Sequence, residues 1–417
     1  MEAADSGTVG EILDSVVFSS ATSKLALLEK IEAFLERKGP GEKEHGEILV
    51  LVGEHFLHAD KRVREKAFAV FRKHTENPTA AVLSYTQLAQ CFGIGCRETA
   101  LGALDILSTI PVEKTLLLLQ LRTQPREVRI VDHLFHLLCE RMLSPWKEVK
   151  EKSLEILATL PHADRRLLRQ AFAKEMVPEE KKGEDGNAVP FTETACGALV
   201  HGLEDVDADV RMKTLETLFR LGMEAVSIGA MAIDHTIDLL NDTEEAIRHR
   251  AVLVTNRLAE KYNVVIGQDQ LMEIVLTVDD ASPEIRQLVR SFLRKAELHG
   301  SACLQKVETG LGRLAQKRPA ETRDILHCLC AIGKNNRKHL KDLFAERSRK
   351  RTPSSLALFG CYAADQNTPL DAATEELLRS LQWTFQLFDG TSLTRMDSTI
   401  GLGHSVRRKL QGHGEQK

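Results

Sequence analysis

The chain has 417 residues, of which 43% are hydrophobic, 28% are charged and 5% are aromatic, with 12 prolines. This balance excludes wholesale disorder, and a chain of this length can bury roughly three-quarters of its unfolded surface. The formal net charge of -4 argues against a chain-wide nucleic-acid surface, because such domains are basic, although local basic patches remain compatible with it. Few aromatic residues and abundant Leu, Ala, Glu, Lys and Arg favour an all-α fold.

Cysteine usage and the first residues predict a cellular compartment. The eight cysteines form no CxxC pair and no regular framework, which is typical of reduced structural thiols in an intracellular protein. The opening MEAADSGTVGEI lacks the apolar core of a signal peptide, and no apolar run of about 18 residues follows. The sequence therefore predicts a chain that is neither secreted nor membrane-spanning.

The N-terminal third predicts paired helices. Residues 1–20 are predicted to be a flexible N-terminus, and Leu25–Leu35 has helical spacing that ends at a Gly-Pro-Gly run. The first helical hairpin is predicted from Ile48–Leu57 and Val63–Phe71, with Asp60 in the turn. Looser hairpins follow, at Leu88–Phe92 with Arg97–Leu107 and at Val131–Met142 with Val149–Leu160.

The stretch from Cys196 to Leu293 contains one pattern three times, at intervals of 37 and 38 residues. In each copy an Asp stands six residues before an Arg, with apolar residues in matching register on both sides; the pairs are Asp205 and Arg211, Asp242 and Arg248, Asp280 and Arg286. The apolar spacing predicts two helices per copy, joined by a short polar turn. A period near 40 with two helices is typical of HEAT or armadillo repeats, which predicts an α-solenoid over residues 21–345.

The repeated Asp/Arg pairs predict a structural ladder. Their recurrence at matching positions favours stacking over catalysis. An Asp in one turn and an Arg in a following helix can bond across neighbouring repeats.

One interval is longer than the others. Val149 and Val210 hold equivalent positions but lie 61 residues apart, and the surplus coincides with the charged segment PEEKKGEDGNAVP at 178–190. We interpret this segment as an exposed loop inserted between repeats. A solvated loop and a loop that contacts a partner both fit its composition.

The C-terminal part is less regular. Helices are predicted at Cys303–Leu314 and Ile325–Ile332, a basic linker with less regular terminal helices at 346–388, and a disordered tail at 389–417. A basic cluster begins the linker and fits either a nuclear import signal or anion contact, or a solvated helix end; it comprises Arg347, Arg349, Lys350 and Arg351.

Candidate chemistry is sparse. Two His/Cys groups stand out, but neither has the paired spacing of a structural zinc site, and packing is the favoured interpretation; they are His133, His136 and Cys139, and His327, Cys328 and Cys330. The chain has no GxxxxGK[ST], GxSxG or HExxH motif, and it lacks the His-Glu dipeptides of the HEAT-like deoxyhypusine hydroxylases. We therefore predict no catalytic residue, cofactor, metal or small-molecule substrate. The apolar run Leu116–Leu121 is predicted to be buried between repeats, with a partner groove as the alternative.

The central repeats also resemble a known family. The string ACGALVHGLED at 195–205, followed by Asp209-Val210-Arg211, is similar to the ACGAFVHGLED...EVR segment of Integrator complex subunit 4. The turns at 237–248 and 280–286 resemble that family's next two hairpins, so the likeness covers roughly residues 90–345. This family's members continue into a C-terminal region that contacts a nuclease pair, so the short, irregular end predicts a divergent or shortened member.

The resemblance implies a non-catalytic nuclear scaffold. Members of this family join two metallo-β-lactamase/β-CASP proteins in a module that cleaves nascent RNA, including small nuclear RNA precursors and prematurely terminated transcripts. The expected partners are protein subunits, with direct RNA contact left open. Two alternatives stand beside it: a cytoplasmic transport or coat adaptor built from similar repeats, and a HEAT-fold metal hydroxylase or lyase.

Overall fold

The computed structural model describes residues 20–37, 42–74, 78–120, 127–173, 175, 196–224, 228–340 and 358. Several sequence-based predictions fall wholly or largely outside these residues: residues 1–19 of the N-terminus predicted to be flexible over 1–20, the charged loop 178–190, the linker and tail at 346–417 apart from residue 358, and the basic cluster Arg347, Arg349, Lys350 and Arg351. The chain divides into two compact units, Met1–Val264 with Ser282–Leu288, and Val265–Ala281 with Val289–Lys417.

The first unit is built from helices that pack in two layers. Its helices are α1 (Ala21–Arg37), α2 (Glu42–Gly53), α3 (Lys61–Lys73), α4 (Pro78–Leu83), α5 (Tyr85–Gln90), α6 (Arg97–Leu107), α7 (Val112–Thr115), α8 (Ile130–Arg141), α9 (Lys147–Leu157), α10 (Arg165–Phe172), α11 (Ala198–Leu203), α12 (Ala208–Glu224), α13 (Gly229–Asp238) and α14 (Glu245–Lys261). Short 3-10 turns extend three of them, at Glu54–Leu57, Cys91–Ile94 and Leu239–Asn241.

Six helices of the first unit belong to a continuous row. Helices α1, α3, α6, α9, α12 and α14 form what we call the B row, in which each packs on the next. Helices α2, α5, α8, α11 and α13 form the A row, and each packs on the B-row helix that follows it. This arrangement is an all-α solenoid of HEAT/armadillo-type hairpins, as the repeat spacing predicts.

The sequence dictates the packed face of each hairpin. In α3, Val63, Ala67, Val70 and Phe71 recur at helical spacing and are fully buried. Asp60 begins this helix, since its side chain accepts a hydrogen bond from Arg62 N at 2.9 Å.

The second unit continues with helices and one short strand pair. It contains α15 (Gln268–Thr277), the C-terminal part of α16 (Pro283–Lys295), α17 (Ser301–Lys317), the 3-10 turn Pro319–Glu321 and α18 (Thr322–Asn335). Strands β3 (Val265–Ile266) and β4 (Glu297–Leu298) pair in parallel. Asn336 fixes the end of α18, because its side chain accepts from Leu298 N at 2.7 Å and donates to Ala296 O at 3.3 Å.

The long interval in the repeat pattern contains an additional helix, α10, which precedes the A-row helix α11. Helix α10 packs on α8 and α11, and Gly197 N donates to Gln170 O at 3.1 Å across the intervening chain. In an uninterrupted helix the carbonyl of Gln170 would accept a hydrogen bond from the backbone N–H of residue 174, four positions later. The N–H of Gly197 therefore takes the place of the N–H of residue 174. Removing the 23 residues 174–196 shortens the 61-residue interval to 38, the regular spacing. On this count we propose that the insertion falls within a repeat, whereas the sequence predicts a loop between repeats.

The prediction that Leu116–Leu121 is buried between repeats is wrong for the residues described. Leu116, Leu117 and Leu118 are 45%, 46% and 62% exposed. The run leaves the helical path, and β1 (Leu118–Gln120) pairs antiparallel with β2 (Glu127–Arg129). Pro111 before α7 and Pro125 after the run disfavour a continuous helix here.

Candidate functional site

The turn-facing arginines of the repeats bind two successive turns. Arg211 donates from Nη1 to the backbone oxygen of Asp205 at 3.0 Å, within its own repeat. Its Nε and Nη2 donate to the two carboxylate oxygens of Asp242, in the next turn, at 2.8 and 2.9 Å. Arg248 makes the same backbone contact in its own repeat, from Nη1 to Asp242 O at 2.9 Å. One guanidinium thus closes its own turn and ties it to the neighbour.

Upstream repeats carry variants of this contact. Lys150 holds the arginine position and donates from Nζ to the Asp205 carboxylate at 2.6 Å. Arg64 donates to His58 O in its own turn at 2.7 Å, and its Nε reaches Thr99 Oγ1 of the next hairpin at 3.1 Å. The series therefore extends from the first hairpins, with a hydroxyl in place of the carboxylate at one step.

The third predicted pair is divided between the two units. Arg286 lies in the first unit and is buried near the start of α16. Asp280 lies in the second unit, where its backbone N–H donates to Thr277 O at 3.1 Å. The structural role of all six residues remains a prediction.

Electrostatics favour the charged form of the central pair. Burial alone would raise the pKa of Asp242, but hydrogen bonds from Arg211 and from the backbone N–H of Glu244 lower it overall. The same contact raises the pKa of Arg211, since its bond to Asp242 outweighs desolvation. Both charges are therefore fixed at neutral pH, and neither group is poised to exchange a proton.

Ion pairs also connect the outward side chains of the B row. Each joins two neighbouring helices, and together they span the row from α1 to α14: Lys66 with Glu32, Arg72 with Asp105, Lys152 with Asp105, Lys213 with Glu155, and Arg250 with Glu216. Exposed pairs of this kind contribute little individually. They balance the charge of this face, which suits a polar protein contact better than a polyanion. The sequence motifs alone missed this series, although comparing the charged positions of successive B-row helices would have shown it.

Four members of the two His/Cys groups are buried or make polar or ring contacts. The Tyr85 hydroxyl lies 2.9 Å from His133 Nδ1, and the His133 and His136 rings are 6.2 Å apart. Burial of Cys139 raises the pKa of its thiol well above the usual range, and Cys328 donates from Sγ to Arg290 O at 3.4 Å. Within the described residues, no group of three or more His, Cys, Asp or Glu side chains could hold a metal ion.

A cavity of about 510 Å³ lies in the first unit where the turns before α6 and α9 approach each other. Its lining is mainly apolar and includes Phe92, Leu143, Trp146 and Val149. Arg141 covers one side, with its guanidinium carbon 5.3 Å from the centre of the Phe92 ring. Glu140 also lines the cavity, and Arg141 Nη2 donates to its carboxylate at 3.5 Å.

Known proteins match the repeat region. The chain is 21% identical over 315 residues to Integrator complex subunit 4 of Xenopus laevis and 22% identical over 315 residues to that of Mus musculus. Each of these two matches covers 68% of this chain and 32% of the relative. A Dictyostelium discoideum homologue is 27% identical over 140 residues, which are 34% of this chain and 11% of the homologue. These matches support a family-level relationship to Integrator complex subunit 4, and the chain spans about a third of the length of the animal relatives.

No family model matches the chain. Among solved structures, an engineered protein aligns with 90% of this chain and 98% of its own at 11% identity and a TM-score of 0.33. A designed armadillo repeat protein, solved with a peptide, aligns with 68% of this chain and 99% of its own at 14% identity and a TM-score of 0.32. The solenoid assignment depends on the helices described above. None of the described helices is long and apolar enough to cross a membrane.

Proposed function

We propose that this relative of Integrator complex subunit 4 is a non-catalytic scaffold subunit of an Integrator-like nuclear complex. The observation that carries the proposal is the match to that subunit over 68% of this chain. The two-layer solenoid supports it, because stacked repeats present a longer surface than a compact domain of equal size. The balanced B-row face and the fixed charges of the turn pairs also fit a binding role.

The partners we propose are protein subunits, in particular a metallo-β-lactamase/β-CASP nuclease pair. In this proposal the chain supports endonucleolytic processing of nascent RNA, both at small nuclear RNA 3′ ends and in transcription attenuation. The chain itself supplies no catalytic group, cofactor or metal. Its own contribution is to hold partners in a fixed arrangement, which raises their effective concentration.

Depletion of the chain from its own cells tests this function. We expect unprocessed small nuclear RNA precursors to accumulate and the tagged chain to be found in the nucleus. Re-expression of the wild-type chain should restore processing. Normal precursor levels together with cytoplasmic localisation would instead support the transport or coat adaptor.

A further inference from the structure

Helix α15 presents two large apolar side chains to solvent. Met272 and Leu276 lie one helical turn apart and are 50% and 61% exposed. On the opposite side of the helix Leu271 and Ile274 are fully buried, so α15 packs on its own unit without the exposed pair. Single exposed apolar residues are common on protein surfaces, but two that align on one helix form a continuous apolar ridge.

Two carboxylates share this side of the helix. Asp269 and Glu273 stand three residues before Met272 and Leu276, and all four positions fall within about 100° of the helix surface. Asp269 is exposed and Glu273 is half-buried. Neither carboxylate has a hydrogen bond or an ion pair with another residue that the structure describes. We call Asp269, Met272, Glu273 and Leu276 the acidic ridge.

The sequence around the acidic ridge carries charge of one sign. Residues 262–285 contain five Asp or Glu and no Lys, Arg or His. One of the five, Asp279, is neutralised by Lys317 and Arg318 of α17. The two carboxylates of the acidic ridge have no such counter-charge, so this edge of the helix favours a cationic partner group.

The neighbouring helix α17 borders the other edge of the acidic ridge. Gly310 of α17 approaches Val275 so closely that a Cβ there would stand 3.0 Å from the Cγ1 atom of Val275. Lys306 and Arg313 are exposed and lie one turn before and after Gly310, on the same side of α17. Val275 lies beside Met272 on α15, away from the two carboxylates. A partner on the acidic ridge therefore meets carboxylates on one edge and cations on the other.

The acidic ridge is formed before any partner binds. At the start of α15 the backbone N–H of Gly267 donates to Gln270 Oε1 at 2.9 Å. The strand before the helix is held by the backbone N–H of His299, which donates to Ile266 O at 2.9 Å. A partner does not have to order this helix, which lowers the entropic cost of binding.

We propose that the acidic ridge binds an amphipathic helix of a protein partner. The apolar residues of that helix pack on Met272 and Leu276, and its Lys or Arg side chains lie against Asp269 and Glu273. The spacing i, i+3, i+4 and i+7 along the acidic ridge is the pattern by which one helix packs on another. Polyanions such as RNA are disfavoured, because the carboxylates repel phosphates. The proposal rests on the proposed function only in that the chain acts through protein contacts.

Binding by the isolated full-length chain tests the proposal. The probe is a labelled peptide of about 15 residues, with leucine at every third or fourth position and lysine and alanine elsewhere, which gives a basic amphipathic helix. A second peptide has glutamate in place of lysine. Both peptides are titrated at low salt, and binding is followed by fluorescence anisotropy.

Two variants change the acidic ridge. Met272→Gln with Leu276→Gln removes the apolar contacts, and we expect the lysine peptide to bind about tenfold more weakly. Asp269→Asn with Glu273→Gln removes the charges, and we expect binding to weaken about fivefold. Because all four side chains are exposed or half-buried, both variants should fold like the wild type, which circular dichroism checks.

Each variant has a matched control in the first unit. Leu116→Gln with Leu118→Gln replaces two apolar residues that are similarly exposed. Glu29→Gln with Glu47→Gln removes two exposed carboxylates, so its net charge equals that of the charge variant. We expect both controls to bind the lysine peptide like the wild type.

Unchanged binding in the two acidic-ridge variants, or equal losses in their controls, would overturn the proposal. A glutamate peptide that binds as tightly as the lysine peptide would also overturn it. A wild-type dimer in sedimentation that Met272→Gln with Leu276→Gln converts to a monomer would assign the acidic ridge to a second copy of the chain instead. Failure in this assay leaves the cellular processing test of the proposed function unaffected.

Discussion

The guanidinium of Arg211 and the carboxylate of Asp242 form a two-hydrogen-bond ion pair between residues 31 positions apart, at 2.8 and 2.9 Å. Both side chains are mostly buried, with 13% and 6% of their surface exposed. Because Arg211 also closes its own turn, this single side chain fixes the stacking of two repeats.

Removal of the Asp242 charge should destabilise the chain. Asp242→Asn keeps an oxygen that can accept from Glu244 N but leaves Arg211 without its counter-charge, so we expect unfolding to become easier by about 1–3 kcal/mol. The matched control is Glu260→Gln, since Glu260 pairs with Arg257 on the exposed side of one helix. Chemical denaturation measures the free energy of unfolding of both variants. If the two variants unfold alike, the buried pair does not stabilise the stacking.

The contribution of this pair should also depend on pH. The folded pKa of Asp242 lies below its unfolded value of 3.8. Its stabilising effect is therefore fully present above that value and is lost as the pH falls through the folded pKa. We expect the stability difference between the wild type and Asp242→Asn to shrink in acid. A difference that stays constant down to the acid limit of folding would contradict an ionic origin.

Buried His136 should make the chain less stable in mild acid. Desolvation, followed by the nearby charge of Arg141, lowers the pKa of His136 from 6.5 to about 4. Below pH 6.5 the unfolded chain therefore binds a proton at His136, whereas the folded chain does not bind it until the pH falls to about 4. Stability should fall over this window, by up to about 1.4 kcal/mol per pH unit for one group. His136→Gln should flatten the decline, and an unchanged slope in that variant would assign it to other groups.

The interrupted helix predicts that the insertion is dispensable for folding. Deletion of 174–196 joins Ala173 to Gly197 in the register of a continuous helix, so we expect circular dichroism to report a folded chain. A second substitution gives a sharper test, because its effect on stability should have opposite signs in the full and the shortened chain. Gly197 has a positive φ of 67°, so Gly197→Ala should destabilise the full chain by about 1 kcal/mol.

In the deletion background the same residue would sit within a helix, where alanine is favoured over glycine by about 1 kcal/mol. Gly197→Ala should therefore stabilise the shortened chain. Destabilisation in both backgrounds would show that the two helical segments do not join.

Because the leucine run is exposed, we expect substitution of Leu118 to have little effect on stability. Leu118→Ser should change the free energy of unfolding by less than about 0.5 kcal/mol, because the side chain is already largely in water. Leu134→Ala in the adjacent α8 removes a fully packed side chain and should cost about 2–5 kcal/mol. A large loss for Leu118→Ser would contradict the exposed placement.

Local patterns predicted the hairpins because their signals are short-range. The apolar spacing of Val63–Phe71 and the turn residue Asp60 specify one helix and its start without information from elsewhere in the chain. The three Asp/Arg copies likewise marked Arg211 and Asp242, since the repeat itself places equivalent residues in equivalent turns.

Features that depend on distant contacts could not be predicted in this way. Pro111 and Pro125 disfavour a continuous helix through the leucine run, but the antiparallel pairing of β1 with β2 depends on residues on both sides of the turn between them. The Gly197 to Gln170 hydrogen bond joins two segments that are far apart in the sequence. The contacts between α16 and α18 likewise join residues 30 and 41 positions apart, Arg294 with Asp324 and Arg294 with Asn335.

Affinity purification of the tagged full-length chain from its own cells, followed by mass spectrometry, tests the scaffold proposal most directly. We predict recovery of Integrator-type subunits, including two metallo-β-lactamase/β-CASP proteins in amounts comparable to the chain. Recovery of coat or transport proteins in their place would contradict the proposal and assign the solenoid to an adaptor.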